Sequence, residues 1–301
     1  MGDARSVIVT GASRGLGMAT AAHLYAQGWT VVAAMRSPAA GLEHLRAATG
    51  AGADDPRLIG IRLDLDDAAS ITAAAAEVHD SVGAPYGVVH NAGVAGVGCL
   101  EELSTDVWDQ IFSTNFFGAV RLTRALLPDM RAAGRGRIVM VSSMGALRGM
   151  PAIGAYSAAK AALERWAESL SFEVAPFGLG VTVLVAGTFK TDILELTPTY
   201  ADPAGPYDEF HEDLERRGRR FVRFAAAPAR FAPAVATALE DGRPFVRRTV
   251  GIDARLLRLG TRLLPGGLIH RVTATVLGLP RPGAYVGTPR QRARVTAGGD
   301  A

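Results

Sequence analysis

The segment GAYSAAKAAL, residues 154–163, sets Tyr156 and Lys160 four positions apart among small residues. On a helix, positions i and i+4 share a face. A phenol and an ammonium placed this way form a candidate proton-exchange pair. The ordinary phenol pKa, near ~10, is too high for efficient exchange at neutral pH. An ammonium about 4 Å away favours the phenolate by roughly 4 kcal/mol at an effective dielectric of about 20. That corresponds to up to about three pKa units before desolvation is subtracted. The lysine is unusual in itself, because among 32 Lys and Arg residues only Lys160 and Lys190 are lysines. Random placement predicts about 0.04 Tyr-x-x-x-Lys pairs in such a chain. Lysine offers a compact charge with rotatable donors, where arginine presents a planar fork. The plain alternative is a surface pair contributing a few tenths of a kcal/mol.

A second group of residues suits a phosphate-bearing ligand. SVIVTGASRGLG, residues 6–17, is an apolar run entering Gly11, Gly15 and Gly17. Glycines permit a tight turn and let backbone amides approach a diphosphate. The helix that follows offers free N–H groups, which favour anions. A dinucleotide site for NAD carries an acidic residue about 20 positions beyond its glycines. Nothing acidic occurs from Met18 through Leu42; Arg36 follows the second apolar run and Arg14 lies inside the glycine turn. Two guanidiniums suit the 2′-phosphate of NADP(H), so the expectation is NADP(H) over NAD(H). Ser13 and Ser37 add hydroxyls nearby. The bland reading of Arg36 is a solvated charge at a strand end.

Positioning these groups requires alternating elements. SVIV (6–9), TVVAAM (30–35), LIGIRL (58–63), GVVH (87–90), RIVMV (137–141) and VTVLV (181–185) read as strands. They are continuously apolar, the pattern of strands covered on both faces by helices. Residues 15–27, 66–80, 105–133 and 154–175 have helical length and composition. The repeated βα units predict an α/β fold, a doubly wound, mostly parallel sheet. Residues 1–251 form one Rossmann-like domain on this reading, with a lid at about 188–227. A helical extension of the same domain covers 252–286, and 287–301 reads as a disordered tail. TPTYADPAGPYDEF (197–210) reads as loop or short helices, 211–224 as partly helical, 229–240 as a helix and PFVRRTV (244–250) as a last strand.

Together, TGASRGLG at 10–17, HNAG at 90–93, Asn115 in TNFFG, Ser143 thirteen residues before Tyr156, and the Tyr156/Lys160 pair resemble the short-chain dehydrogenase/reductase signature over roughly residues 5–191. The resemblance implies a catalytic set of Asn115, Ser143, Tyr156 and Lys160. Tyr156 is then general acid in reduction or base in oxidation. Ser143 polarises the substrate oxygen, Lys160 lowers the tyrosine pKa and binds the nicotinamide ribose, and Asn115 steadies a relay water. Cofactor contacts are implied for Gly11, Ser13, Arg14, Gly15, Leu16, Gly17, Arg36, Asp64, Leu65, Asn91, Ala92 and Gly93. They are implied also for Tyr156, Lys160, Gly187, Phe189 and Thr191. Asp64 meets the adenine amino group and Leu65 flanks the ring. Hydride passes directly to or from nicotinamide, so no metal is expected. Two positions depart from the family pattern. His90 stands where Asn is common and reads as a buried imidazole; Ala186 stands where Pro is common, which should loosen the turn at Gly187.

Substrate contacts are expected from Leu147, Met150 and Ile153, and from lid residues Phe189, Ile193, Leu194, Leu196, Tyr200, Tyr207 and Phe210, favouring an apolar ketone or secondary alcohol. The expected activity is NADPH-dependent carbonyl reduction. Alcohol oxidation with NADP+ is the alternative, and a non-catalytic NADP(H) redox sensor is a rival of another class. Family members often pair the helices carrying Asn115 and Tyr156, so a homodimer or homotetramer is expected.

Bulk properties bound the remaining options. Hydrophobic residues are 49% of 301 and the net charge is +3, a globular balance. Basic and acidic residues are interspersed and no base-reading motif accompanies them, so no nucleic-acid partner is expected. The single cysteine, Cys99, excludes an intrachain disulfide and suits a reducing cytosol. It has no histidine neighbour in sequence and reads as a buried or loop thiol. The remaining histidines show no metal-ligand spacing. The N-terminus does not read as a secretory signal, and no apolar run reaches the ~18 residues of a membrane span. Residues 252–264 set Ile252, Leu256, Leu259 and Leu263 on one helical face and Arg255, Arg258 and Arg262 on another. The expectation is packing of 252–280 against the lid or a second subunit, with peripheral membrane contact as the alternative.

Overall fold

Seven strands form one parallel sheet in the order β3-β2-β1-β4-β5-β6-β7. The computed structural model describes residues 5–191, 197–222 and 225–286. The strands are β1 (Ser6–Thr10), β2 (Thr30–Met35), β3 (Leu58–Arg62), β4 (Gly87–His90), β5 (Gly136–Ser143), β6 (Leu179–Ala186) and β7 (Phe245–Val250). Strands β1, β4 and β6 are buried at every residue, as continuous apolar runs require when both faces are covered.

The helices are α1 (Gly15–Ala26), α2 (Pro38–Thr49), α3 (Ala68–Val82), α4 (Thr105–Phe112), α5 (Gly118–Ala133), α6 (Met144–Leu147), α7 (Gly154–Val174), α8 (Asp208–Val222), α9 (Ala232–Leu239), α10 (Ile252–Leu263) and α11 (Gly266–Leu277). Two cores result. On one face Ile8, Val88, Ile138 and Val183 meet Leu122 and Met130 of α5 and Leu163 of α7. On the other, Val7, Val9, Val139 and Leu184 meet Leu24 of α1 and Val235 and Leu239 of α9. Successive units run outward from β1 in opposite directions, so β1 and β4 are adjacent at the switch point. Ligands of open α/β sheets bind beyond the strand C-termini at such a point.

Two segments differ from the sequence expectation. Residues 105–133 are not one regular helix; α4 and α5 are joined by a five-residue π-turn, Ser113–Phe117. The 197–210 loop gives way at Asp208 to α8, which runs to Val222. The C-terminal extension, expected to be helical, is a pair of helices, α10 and α11. The tail 287–301 lies outside the described residues, as do Ile193, Leu194 and Leu196.

Candidate active site

The glycine turn leaves β1 with Gly11 at φ +66° and Gly15 at φ +55°, both left-handed conformations. Gly17 is needed for closeness instead: a Cβ there would strike the Gly11 carbonyl oxygen and come 2.5 Å from Asn91 Nδ2. The turn is braced from β4. Thr10 Oγ1 donates to the Val89 carbonyl at 3.2 Å and accepts from the amides of Asn91 and Ala92, each at 3.0 Å. Asn91 Nδ2 donates to the Thr10 carbonyl at 2.9 Å. Asn91 and Ala92 thus hold the turn as well as lying beside it.

Helix α1 begins at Gly15 without a side-chain cap, its N-cap being exposed Arg14 in extended backbone. Its first amides therefore face an uncapped end, the arrangement that favours a phosphate. Arg36 is exposed at the end of β2. Ser13 lies against α2, where a Cβ on Gly41 would come 3.3 Å from Ser13 Cβ. Leu16 is partly buried against the second core. The Asp64 carboxylate accepts from the Asp66 amide at 3.1 Å, and Leu65 is buried against Gly118 of α5. Thr191 reaches the glycine turn, 3.5 Å from where a Gly15 Cβ would stand. This uncapped, glycine-cleared cradle with a basic rim fits a nicotinamide dinucleotide.

The structure brings Asn115, Ser143, Tyr156 and Lys160 to the same end of the sheet. Lys160 on α7 is 4% exposed, and its Nζ donates to the Val141 carbonyl of β5 at 3.0 Å. Gly93 lies between lysine and asparagine: a Cβ there would be 2.9 Å from Asn115 Oδ1 and 3.4 Å from Lys160 Nζ. Asn115 occupies the π-turn, a form that recurs at functional sites. Its Oδ1 accepts from the Val94 amide and its Nδ2 donates to the Val94 carbonyl, both at 2.8 Å. Both ends of the carboxamide are thus bonded to the Val94 main chain. Ser143 ends β5, and its Oγ accepts from the Gly145 amide at 3.2 Å.

The acidified phenol expected from the sequence is not what the structure holds. Burial raises the Tyr156 pKa, opposed by a hydrogen bond with Ser143. Lys160 Nζ lies 5.8 Å from the centre of the Tyr156 ring. Burial also lowers the lysine to about 8, while the neighbouring Glu164 carboxylate pulls it upward. Tyr156 is therefore a neutral phenol at neutral pH, suited to giving a proton.

Residues not singled out in the sequence complete the site. Glu164, one turn after Lys160 and 3% exposed, accepts from Ser142 Oγ at 2.6 Å and pairs with Arg247 of β7. Its signal was present as a carboxylate at i+4 from the lysine. His90 is buried with Nε2 2.8 Å from Thr123 Oγ1, and burial and then Lys160 lower it to about 3. It is a neutral core imidazole, as expected.

Several expectations are corrected. The turn at Gly187 is tight despite Ala186: Gly187 N–H donates to the Val250 carbonyl at 2.8 Å and Thr188 N–H to Asp253 at 2.6 Å. Asp253, from the C-terminal extension, supplies the restraint that proline was expected to give. Phe189 is 5% exposed and edge-on to Phe231 at 5.4 Å, packed in the second core. Cys99 does have a histidine partner, His211 of α8, with Sγ 3.8 Å from Nε2. Glu102 accepts from that imidazole and from the Cys99 amide, each at 2.6 Å, closing the cluster by hydrogen bonds. Burial and then Glu102 push the Cys99 thiol up to about 12, which keeps it protonated at neutral pH.

Leu147, Met150 and Ile153 are partly buried on the link between Ser143 and Tyr156. Tyr200 packs against Gly96 and Gly98 and lines a cavity of about 290 Å³ with Glu101, Glu102, Asp202, Pro206 and Tyr207. Three of its six lining residues are acidic.

Comparison with known proteins agrees with this geometry. Residues 5–200 match the family model described as short chain dehydrogenase. The uncharacterized oxidoreductase YbbO of Escherichia coli K12 is 33% identical, covering 89% of this chain and 93% of its own. A 3-ketodihydrosphingosine reductase of Bacteroides thetaiotaomicron is 30% identical (81% and 87% covered). Retinol dehydrogenase 8 of Homo sapiens is 31% identical (91% and 90%). A short-chain dehydrogenase structure from Streptomyces avermitilis superposes with TM-score 0.73 at 33% identity, covering 99% of both chains. Two further similar structures hold different cofactors. A Beutenbergia cavernae protein contains NADP (TM-score 0.67, 27% identity, 84% and 97% covered), and a Burkholderia phymatum protein contains NAD (0.71, 26%, 87% and 95%).

Proposed function

The chain belongs to the short-chain dehydrogenase family of oxidoreductases, and from that premise we propose that it reduces an apolar ketone or aldehyde to an alcohol with NADPH. The observation that carries this reading is the convergence of Ser143, Tyr156 and buried Lys160 beyond β5, beside the glycine turn. When bound, NADPH supplies hydride to the carbonyl carbon. The Tyr156 hydroxyl gives its proton to the developing alkoxide, and the Ser143 hydroxyl donates a hydrogen bond to the same oxygen. The Lys160 ammonium steadies the phenolate left behind.

Gly11, Gly15, Gly17 and the α1 N-terminus would hold the diphosphate. Arg14 and Arg36 would bracket the 2′-phosphate, and Asp64 and Leu65 would meet the adenine. Lys160 would reach the nicotinamide ribose, with Asn91, Ala92, Gly93, Gly187 and Thr191 around the nicotinamide end. An apolar substrate is favoured by Leu147, Met150 and Ile153 beside Ser143. It is favoured also by relatives whose names specify a ketodihydrosphingosine and retinol. The retinol relative equally supports the oxidative direction, which the cellular cofactor ratio would decide. Cytoplasmic placement suits the lone cysteine. Exposed Phe117 and Phe172, at 46% and 77%, offer a pairing surface for a homodimer near the helices of Asn115 and Tyr156.

A panel of ketones and alcohols, followed by NADPH and NADP+ absorbance and repeated with NADH and NAD+, tests this. Turnover of apolar carbonyls with NADPH is expected. Turnover restricted to small charged ketones, or to NADH, overturns the substrate or the cofactor assignment respectively.

A further inference from the structure

The C-terminal helical pair is seated through one side and leaves an apolar stripe on another. Ala254 and Ile269 are its buried anchors. Asp253 accepts from the Thr188 amide, Arg258 donates to the Arg247 carbonyl at 2.9 Å, and Tyr285 donates to Asp213 of α8 at 3.0 Å. Helix α10 also packs on α6. Four large apolar residues of α10 face outward: Ile252, Leu256, Leu259 and Leu263 are 77%, 64%, 53% and 70% exposed. Their spacing is a single helical stripe. On α11, Leu268, Val272 and Val276 follow at intervals of four and are 47%, 40% and 58% exposed. Helix α11 packs on α8, within the lid span as expected from the sequence, and the pair leaves this stripe exposed.

Charge says what covers the stripe. Residues 252–286 hold five arginines, at 255, 258, 262, 271 and 281, with His270 and one acid, Asp253. That acid is turned inward to the amides of Thr188 and Ala254. Burial depresses the Arg258 pKa, and the positive charges of Arg262 and Arg247 add to it, a sign of crowded cations. In a two-fold contact a patch meets itself, which here sets arginine against arginine. Residues 287–301 add three arginines against one aspartate, with few large apolar side chains, so they are a poor cover. An anionic lipid surface satisfies both features, acyl chains taking the leucines and headgroup phosphates the guanidiniums. Each helix has 12 residues, roughly 18 Å, too short to cross a ~30 Å hydrocarbon core. No helix among the described residues is long and apolar enough to do so.

We propose that α10 and α11 lie in the plane of an anionic bilayer surface and dock the protein there, whatever carbonyl it reduces. Flotation of the full chain with phosphatidylcholine vesicles, with or without phosphatidylglycerol, tests this. Binding should be about ten-fold or more stronger with phosphatidylglycerol and should fall as salt rises. Leu256→Asp with Leu259→Asp should abolish flotation with an unchanged circular dichroism spectrum. Arg255→Glu with Arg262→Glu should remove the phosphatidylglycerol preference alone. Failure to float at every composition overturns the proposal, as does flotation indifferent to both variant pairs. A dimer by light scattering that the leucine variants dissociate would reassign the stripe to a second copy.

Discussion

Glu164 places a buried carboxylate one helical turn beyond Lys160, and that carboxylate also receives the hydroxyl of Ser142, the residue before Ser143. One side chain thus influences both the lysine's charge and the strand end that presents the serine. Removing its charge should let burial drive Lys160 further below about 8. Glu164→Gln is expected to move the alkaline limb of the kcat/KM profile for reduction to lower pH, with a loss of about ten-fold at neutral pH. A pH profile checks this, since a purely structural loss would lower the whole profile without shifting it.

Tyr156→Phe should keep the fold and change dinucleotide affinity far less than turnover, because the glycine cradle is left intact. Its kcat should fall by about 10²–10⁴-fold, the usual contribution of a positioned acid. Cofactor titration by nucleotide fluorescence, beside single-turnover reduction, separates the two.

Lys160→Met should abolish turnover yet raise stability at neutral pH. The lysine's folded pKa, about 8, lies below its ordinary 10.5. The folded state therefore carries the full cost of a buried cation below pH 8, roughly 3 kcal/mol. That cost is relieved as pH rises from 8 through 10.5. The melting-temperature advantage of the variant should be largest near pH 7 and shrink towards pH 10.

Gly17→Ala drives a methyl group into the Gly11 carbonyl and the Asn91 amide. A loss of about 2 kcal/mol is expected, with dinucleotide affinity falling by more than stability alone predicts. Urea unfolding with and without cofactor measures both.

Arg36→Ala should raise the NADPH KM by about ten-fold or more and leave that for NADH nearly unchanged, because only the 2′-phosphate distinguishes the two. Equal effects on both would leave Arg36 as a solvated strand-end charge.

Much of this fold was legible because its central strands are buried on both faces and written as uninterrupted apolar runs, as at Val7–Val9 and Val181–Val185. The glycine turn was legible for a related reason: Gly11, Gly15 and Gly17 are required by backbone conformation and close approach, which only glycine meets. What escaped reading was long-range. Asp253 restrains Gly187 from 66 positions away, and Cys99 meets His211 across 112; no local pattern encodes either pairing. The acidity of Tyr156 was misread because burial of the phenol itself disfavours the phenolate, a cost the Coulomb estimate left out.

The five residues Ser113–Phe117 wind one position more than an ordinary turn requires. Deleting any one of them would heal the helix and rotate α4 by about 100° relative to α5. Ile111, wedged beside Ala155 and Ala159, would swing out of its slot against α7. Sequence length at this spot is thus a torsional setting, and a single lost codon there would dismantle the cleft more thoroughly than most side-chain replacements.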